Sequence, residues 1–315
     1  VIAQYNSILG KYEQNYKAVT SYATVIIRTY KGSTIYASPN GSIFGKGTAE
    51  KPVDLLSAIS YVSPGQTIVL SEGTYHIDNS KGLIIERGNS GTSNAYKTLT
   101  VQDKKRAVLD FSASKGGMQI WGDYWTIKTI DVTKTADNIK GIQVAGNYNV
   151  LDQVNAYYNG DTGIQISGQG FETFEKWPHD NLILNCTSYG NCDSAQNNAD
   201  GFAAKLTCGN GNVFRGCISY GNIDDGWDLF AKIESGPIGT VLIENCLAYK
   251  NGSLPDGSGK GDGNGFKLGG DGIAVAHILR NSISYSNGMS GITSNSNPAL
   301  ILENVTSFGN GSSNI

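Results

Sequence analysis

The chain has 315 residues, of which 41 are Gly, only 7 are Pro and 16% are charged. A formal net charge of −3 with no basic stripe along the sequence argues against a nucleic-acid binder. No apolar run approaches the roughly 18 residues of a membrane span, which argues against a membrane protein. The Gly-rich, Pro-poor composition suits an all-β chain with many turns better than a helical bundle.

Residues 1–35 have helical periodicity at Ile8, Tyr12, Tyr16 and Val19, then a strand-like TVIIRTY. They are set apart as an N-terminal segment with no assigned role, and residues 36–315 are taken as one domain. From YASPNG at 36 the chain leads to Pro52, with Val53, Leu56 and Ile59 at helical spacing. Pro is tolerated in a first turn, so a short helix is expected to start there and cover the open end of a sheet. A turn at Pro64-Gly65 and a strand at 67–70 follow.

From Val150 onward the sequence repeats itself. The segments 150 VLDQVNAYYN, 182 LILNCTSYGN, 213 VFRGCISYGN, 242 LIENCLAYKN, 278 ILRNSISYSN and 301 ILENVTSFGN align in columns. One column holds Val154, Cys186, Cys217, Cys246, Ser282 and Val305, with steps of 32, 31, 29, 36 and 23 residues. Aromatic residues from Tyr157 to Phe308 form a second column, and Asn159, Asn191, Asn222, Asn251, Asn287 and Asn310 a third. Asn185, Asn245, Asn281 and Asn304 directly precede the Cys column. Strand signatures at variable spacing predict a right-handed parallel β-helix, an all-β solenoid that adds one rung of about 4.8 Å per coil. Asn suits its corners, because the amide bonds to the Asn above and below and the residue tolerates left-handed backbone.

After each column Asn comes a Gly-apolar pair: Gly163-Ile164, Gly201-Phe202, Gly226-Trp227, Gly265-Phe266 and Gly291-Ile292. The gaps from Asn to Gly are 4, 10, 4, 14 and 4 residues, so loops 192–200 and 252–264 swell at one corner and are expected to wall a cleft. Of five cysteines, Cys186, Cys217 and Cys246 read as small core residues, and Cys192 with Cys208 stays open as a disulfide. His76 and His277 show no partner pattern.

The chemistry concentrates in DDGWD at 224, with Asp200 one rung earlier. Asp200, Asp225 and Asn264 share a column, each directly before its Gly, while Asp228 and Lys267 share another three places on. Alternation turns Lys267 outward between inward Phe266 and Leu268, and Asp228 outward between Trp227 and Leu229. Four carboxylates on two rungs repel, so some are protonated or a cation sits among them. An all-oxygen set without His or Cys prefers a hard cation, Ca²⁺ above all.

The segments NADGFAAKL (198–206), NIDDGWDLF (222–230) and GNGFKLGG (263–270) resemble the active-site rungs of the pectate lyases of polysaccharide lyase family 9. The resemblance implies a Ca²⁺ held by Asp200, Asp224, Asp225 and Asp228, and Lys267 as the catalytic base. It also implies a secreted enzyme acting on an acidic polysaccharide, and a monomer is expected. The proton on C5 of a 4-linked uronate lies α to the carboxylate, and its loss with departure of O4 leaves a 4,5-unsaturated uronate. Lys267 must be neutral to accept it.

Lys205, Arg215 and Lys232 are candidate binders of substrate carboxylates. Trp177, in the insertion GQGFETFEKWPHD at 168, is a candidate for stacking on a sugar, with packing as the equal alternative. Arg215, Glu244, Arg280 and Glu303 also align as a surface ion-pair ladder. Two other readings stay open. A β-helix glycoside hydrolase would use paired carboxylates without Lys267, and a non-catalytic carbohydrate-binding β-helix would break no bond. Polygalacturonate is the default substrate of the resembled family; rhamnogalacturonan and glucuronate-containing bacterial polymers remain open.

Overall fold

The structure, a computed structural model, describes residues 28–102 and 105–315. The periodicity from Ile8 to Val19 and most of the TVIIRTY segment lie outside the described residues.

Each full coil contributes one strand to each of three sheets, which hold ten, nine and eight parallel strands among the described residues. One such coil is Leu182–Leu184, Thr187–Tyr189 and Phe202–Ala204. The next coil stacks on it in register, with Ile183 beside Phe214, Ser188 beside Ser219 and Phe202 beside Trp227. The first strand, Thr34–Ala37, pairs in parallel with Thr67–Leu70.

Inward side chains close the core. Beneath the rungs that carry the acidic cluster, Phe202, Trp227 and Phe266 are fully buried and stacked, with ring centres 4.7 and 4.8 Å apart. Cys186, Cys217 and Cys246 are buried in the column that aligned them, and all five cysteines are free thiols. The Cys192–Cys208 pairing does not form.

Two separate Asn columns perform the two tasks that the sequence assigned to Asn. The column from Asn159 to Asn310, buried as far as Asn287, is a hydrogen-bonded ladder, each Nδ2 donating to the next Oδ1 at 2.8–3.0 Å. Asn185, Asn245, Asn281 and Asn304 take the left-handed backbone, with φ of 51°, 55°, 49° and 49°. A further ladder, at the corner entering the ten-stranded sheet, links Asn149, Asn181 and Asn212. Two rungs beyond Asn212, buried His277 takes up the same task, its Nδ1 accepting from the N–H of Val241, on the rung between, at 3.1 Å. On the outside of the nine-stranded sheet, Tyr157, Tyr189, Tyr220, Tyr249, Tyr285 and Phe308 stack at 4.8–5.3 Å.

The expected end helix is present, but it runs from Leu55 to Tyr61, three residues later than Pro52. Asp54 sets that start by accepting from the Ser57 N–H, which satisfies an otherwise free donor of the first turn. Val53 instead bridges to Ala37, and Leu56 points outward at 46% exposure. Leu55, Ala58 and Ile59 form the buried face, packed toward the first strands of the ten- and eight-stranded sheets.

Candidate active site

The eight-stranded sheet carries the site. Ala203, Asp228, Lys267 and Thr293 are register partners on four successive rungs, so Lys267 sits directly beside Asp228. Phe266 and Leu268 are fully buried and Lys267 is partly exposed between them. At the corner leading into this sheet, the Gly163 N–H donates to the Asp200 carbonyl, Gly201 to Asp225 and Gly226 to Asn264. Glycine is required here by close approach: a Cβ on Gly201 would lie 2.1 Å from Ser219 Oγ, and one on Gly226 2.4 Å from the Gly265 carbonyl.

The two inserted loops meet above this corner. The Lys260 N–H donates to Gln196 Oε1 at 3.0 Å, and the Asp224 N–H donates to the Ala199 carbonyl. Asp200, Asp224 and Asp225 each bring a carboxylate oxygen into one group within 4.8 Å, and all three are buried. Asp228, also buried, joins them through Lys205, whose Nζ lies 2.7 Å from Asp200 Oδ2 and 2.9 Å from Asp228 Oδ2. Lys267 Nζ lies 3.0 Å from Asp225 Oδ2. Asn264 donates twice to Asp225 Oδ1, and the Thr162 hydroxyl donates to Asp200 Oδ2.

Burial sets the electrostatics. It pushes Asp200 up to about 7 against the pull of Lys205, and it pushes Asp224 up to about 9, helped by Asp200 and Asp225. Burial also raises Asp225, with Lys267 opposing. For Lys267, burial works to lower the pKa, but the carboxylates of Asp228 and Asp225 outweigh it and hold the ammonium well above its ordinary value. Lys205 is raised for the same reason by Asp200 and Asp228. Four carboxylates face two ammonium groups, so full ionisation would leave the cluster net negative, and the raised values of Asp200, Asp224 and Asp225 oppose that ionisation. Asp224 Oδ1 and Asp228 Oδ1 are buried with no hydrogen-bond partner, a costly state for carboxylate oxygens. An oxygen-only set with unsatisfied buried acceptors fits a hard divalent cation.

The candidate substrate binders divide. Lys232 is exposed and lines a groove beside Lys205, Gln165 and Ser167. Lys205 corrects the expectation that it faces a substrate carboxylate, because it is turned onto Asp200 and Asp228. Arg215 belongs to the ten-stranded sheet and pairs with Glu244, which also holds Arg280. That places it in the ion-pair ladder and removes it from the acidic corner. Trp177 is 5% exposed, with its indole N–H donating to the Glu172 carbonyl and its ring against Phe174, so it packs and presents no free face. The most exposed aromatic of that insertion is Phe171, at 85%, with Phe174 at 38%.

Residues 35–315 match the model of the Pel9A-like, right-handed β-helix region. Pectate lyase L of Thermoclostridium stercorarium is 48% identical over 96% of this chain, which spans 24% of that protein's length. The crystal structure of pectate lyase Pel9A superposes with a TM-score of 0.73 at 30% identity, covering 87% of this chain and 67% of the other. A rhamnogalacturonan lyase superposes with a TM-score of 0.76 at 25% identity, covering 86% and 73%. The match over nearly the whole length, on a coil of three parallel sheets with this acidic corner, makes the chain a member of the Pel9A-like right-handed β-helix family.

Proposed function

We propose that residues 36–315 form a calcium-dependent polysaccharide lyase that cleaves 4-linked uronate polymers by β-elimination, acting outside the cell as a monomer. The observation that carries this reading is the buried cluster of four aspartates beside an outward lysine, with two carboxylate oxygens left unpartnered. Asp200, Asp224, Asp225 and Asp228 would hold the Ca²⁺. When bound, the ion supplies positive charge that offsets these carboxylates, acidifies the proton α to a uronate carboxylate and lets Lys267 lose its own proton.

Lys267, freed from Asp225, takes the proton from C5. The electron pair of that C–H bond forms the C4–C5 double bond, and the C4–O4 bond breaks with its pair leaving on O4. Asn264 fixes the Asp225 carboxylate through two hydrogen bonds, and Thr162 fixes Asp200. Lys205 keeps Asp200 and Asp228 oriented, and Lys232 is placed to meet a carboxylate of the bound polymer. Pectate is the preferred substrate, in keeping with what the similar lyases are named for, with rhamnogalacturonan second.

The test is to incubate the chain with polygalacturonate and with rhamnogalacturonan and follow ultraviolet absorbance of the conjugated product. Activity should vanish in excess chelator and return with Ca²⁺. Full turnover in chelator, or cleavage without the absorbing double bond as a hydrolase would give, would overturn the reading.

A further inference from the structure

The corner column that holds Asp200 and Asp225 changes sign toward the N-terminal end. In register it reads Lys81, Gly116, Lys140, Thr162, Asp200, Asp225. Lys115 lies one residue upstream of Gly116. Lys81 is four rungs and Lys140 two rungs before Asp200, about 20 and 10 Å along the axis at about 4.8 Å per rung. Lys140 pairs with Asp161 at 2.9 Å, while among the described residues Lys81 and Lys115 enter no ion pair and both are exposed.

The floor beside this basic edge is a row of amides. Gln119, Gln143 and Gln165 are register partners on three successive rungs of the eight-stranded sheet, in the outward column that continues to Asp228 and Lys267. Gln165 is 5% exposed and its Oε1 has no hydrogen-bond partner, although its Nε2 donates to Ser167. A buried amide acceptor without a donor is costly unless something supplies one. Two grooves of about 380 and 420 Å³ run over this floor, sharing Lys140 and Gln143, and the second reaches Lys205 and Lys232. The surface is thus continuous from Lys81 to the acidic corner.

We propose that this groove is a distal binding track for an acidic polysaccharide, with Lys81, Lys115 and Lys140 taking carboxylates and the Gln119–Gln143–Gln165 row taking ring hydroxyls. Amides offer both a donor and an acceptor, which suits hydroxyl groups, and ammonium groups on successive rungs suit a polymer that repeats its charge along the axis. The track extends only to the N-terminal side of Lys267, because the neighbouring column position on the other side is Thr293 and the corner there carries Asn264 and Ser290. It makes the chain an enzyme of long substrates, cutting well inside the polymer. That consequence rests on the lyase reading; the binding itself does not.

The test has two arms. The first compares kcat/KM on oligogalacturonates just long enough to fill the catalytic rungs with that on oligomers reaching four rungs further. The long-to-short ratio should be well above one in the wild type and fall about five- to tenfold in Lys81→Ala/Lys115→Ala, the size expected for two exposed charge contacts, and added salt should erode it. The second arm is affinity electrophoresis through polygalacturonate with a Lys267→Ala chain, which reads binding whether or not any bond is cleaved. Adding Lys81→Ala/Lys115→Ala should release the retardation. Adding Lys105→Ala/Lys128→Ala, which removes equal charge between the ten- and nine-stranded sheets, should keep it. The track is overturned if the Lys81/Lys115 pair leaves retardation unchanged, if the control pair loses as much, or if the parent chain is not retarded. Retardation that depends on Lys81 and Lys115, with no unsaturated product from any acidic polymer, would support the track and sink the lyase reading alone.

Discussion

The two halves of the eight-stranded sheet share one backbone pattern and differ in what hangs on it. Its N-terminal rungs have Met118, Ile142 and Ile164 inside, Gln119, Gln143 and Gln165 outside, and Lys81 and Lys140 at the corner. The next rungs have Phe202, Trp227 and Phe266 inside, Asp228 and Lys267 outside, and Asp200 and Asp225 at the corner. The hydrogen-bonded register continues without a break, because parallel pairing uses backbone groups and is indifferent to outward side chains. Chemistry can therefore change from one rung to the next while the scaffold stays the same. The inner faces differ too: a stacked aromatic floor lies under the acidic rungs, where carboxylates must be held against their mutual repulsion, and aliphatic packing suffices under the amide rungs.

The largest effect that would sharpen this contrast lies at the corner. Asp225→Ala removes one of the converging carboxylates and the ion-pair partner of Lys267. The Ca²⁺ concentration for half-maximal activity should rise by about tenfold or more, since charge count tunes such sites. An unchanged calcium requirement would remove Asp225 from the metal site. On the inner face, Trp227→Ala should cost about 3–5 kcal/mol and Ile142→Ala about 2–4 kcal/mol in chemical denaturation. Only the first should also weaken calcium binding by calorimetry. Equal effects on calcium would show that the aromatic floor has no special tie to the acidic rungs.

Away from both halves, His277 supplies a pH-dependent term. Burial lowers its pKa from 6.5 to about 4, so between those values the unfolded chain binds more protons than the folded one. Its contribution to stability is present above about 6.5 and is lost as pH falls toward about 4, when Nδ1 can no longer accept from Val241. His277→Asn, which restores the residue type of Asn212 in the neighbouring ladder, should flatten that part of a Tm-against-pH curve. A curve identical to wild type would remove His277 as its source. The smallest effect belongs to Arg215→Ala, which removes a half-exposed partner of buried Glu244 while Arg280 still holds it, and should cost at most about 1 kcal/mol and leave substrate turnover alone.

The sequence disclosed what repeats with a fixed signature. The column from Cys186 to Cys246, the Asn ladder and the Gly-apolar pairs placed every acidic residue on its rung, and alternation placed Lys267 outward. Three features escaped because their cause is not in a local pattern. Lys205 was a free cation in the sequence, and only three-dimensional neighbours show that it meets Asp200 and Asp228, whereas the Arg215–Glu244 pair was already legible as a column. The helix start was misplaced because the Asp54 cap outweighed the Pro52 signal. No basic stripe was visible because Lys81, Lys115 and Lys140 lie about one coil apart, on rungs earlier than those in which the Asn and Cys columns are regular. Once the register is known, those positions can be read from the sequence through the glycines that follow them.

The central claim is that Lys267 removes the C5 proton, and the most direct measurement is turnover of Lys267→Ala on polygalacturonate at saturating Ca²⁺. The unsaturated product should form at least about 10²–10⁴-fold more slowly than in the wild type, the usual cost of losing a general base, while calcium affinity and melting temperature stay close to normal. Lys267→Arg should not restore it, since a guanidinium stays protonated. Near-normal turnover of Lys267→Ala would contradict the account, and so would a loss of activity matched by loss of calcium binding, because Lys267 would then serve only to hold Asp225.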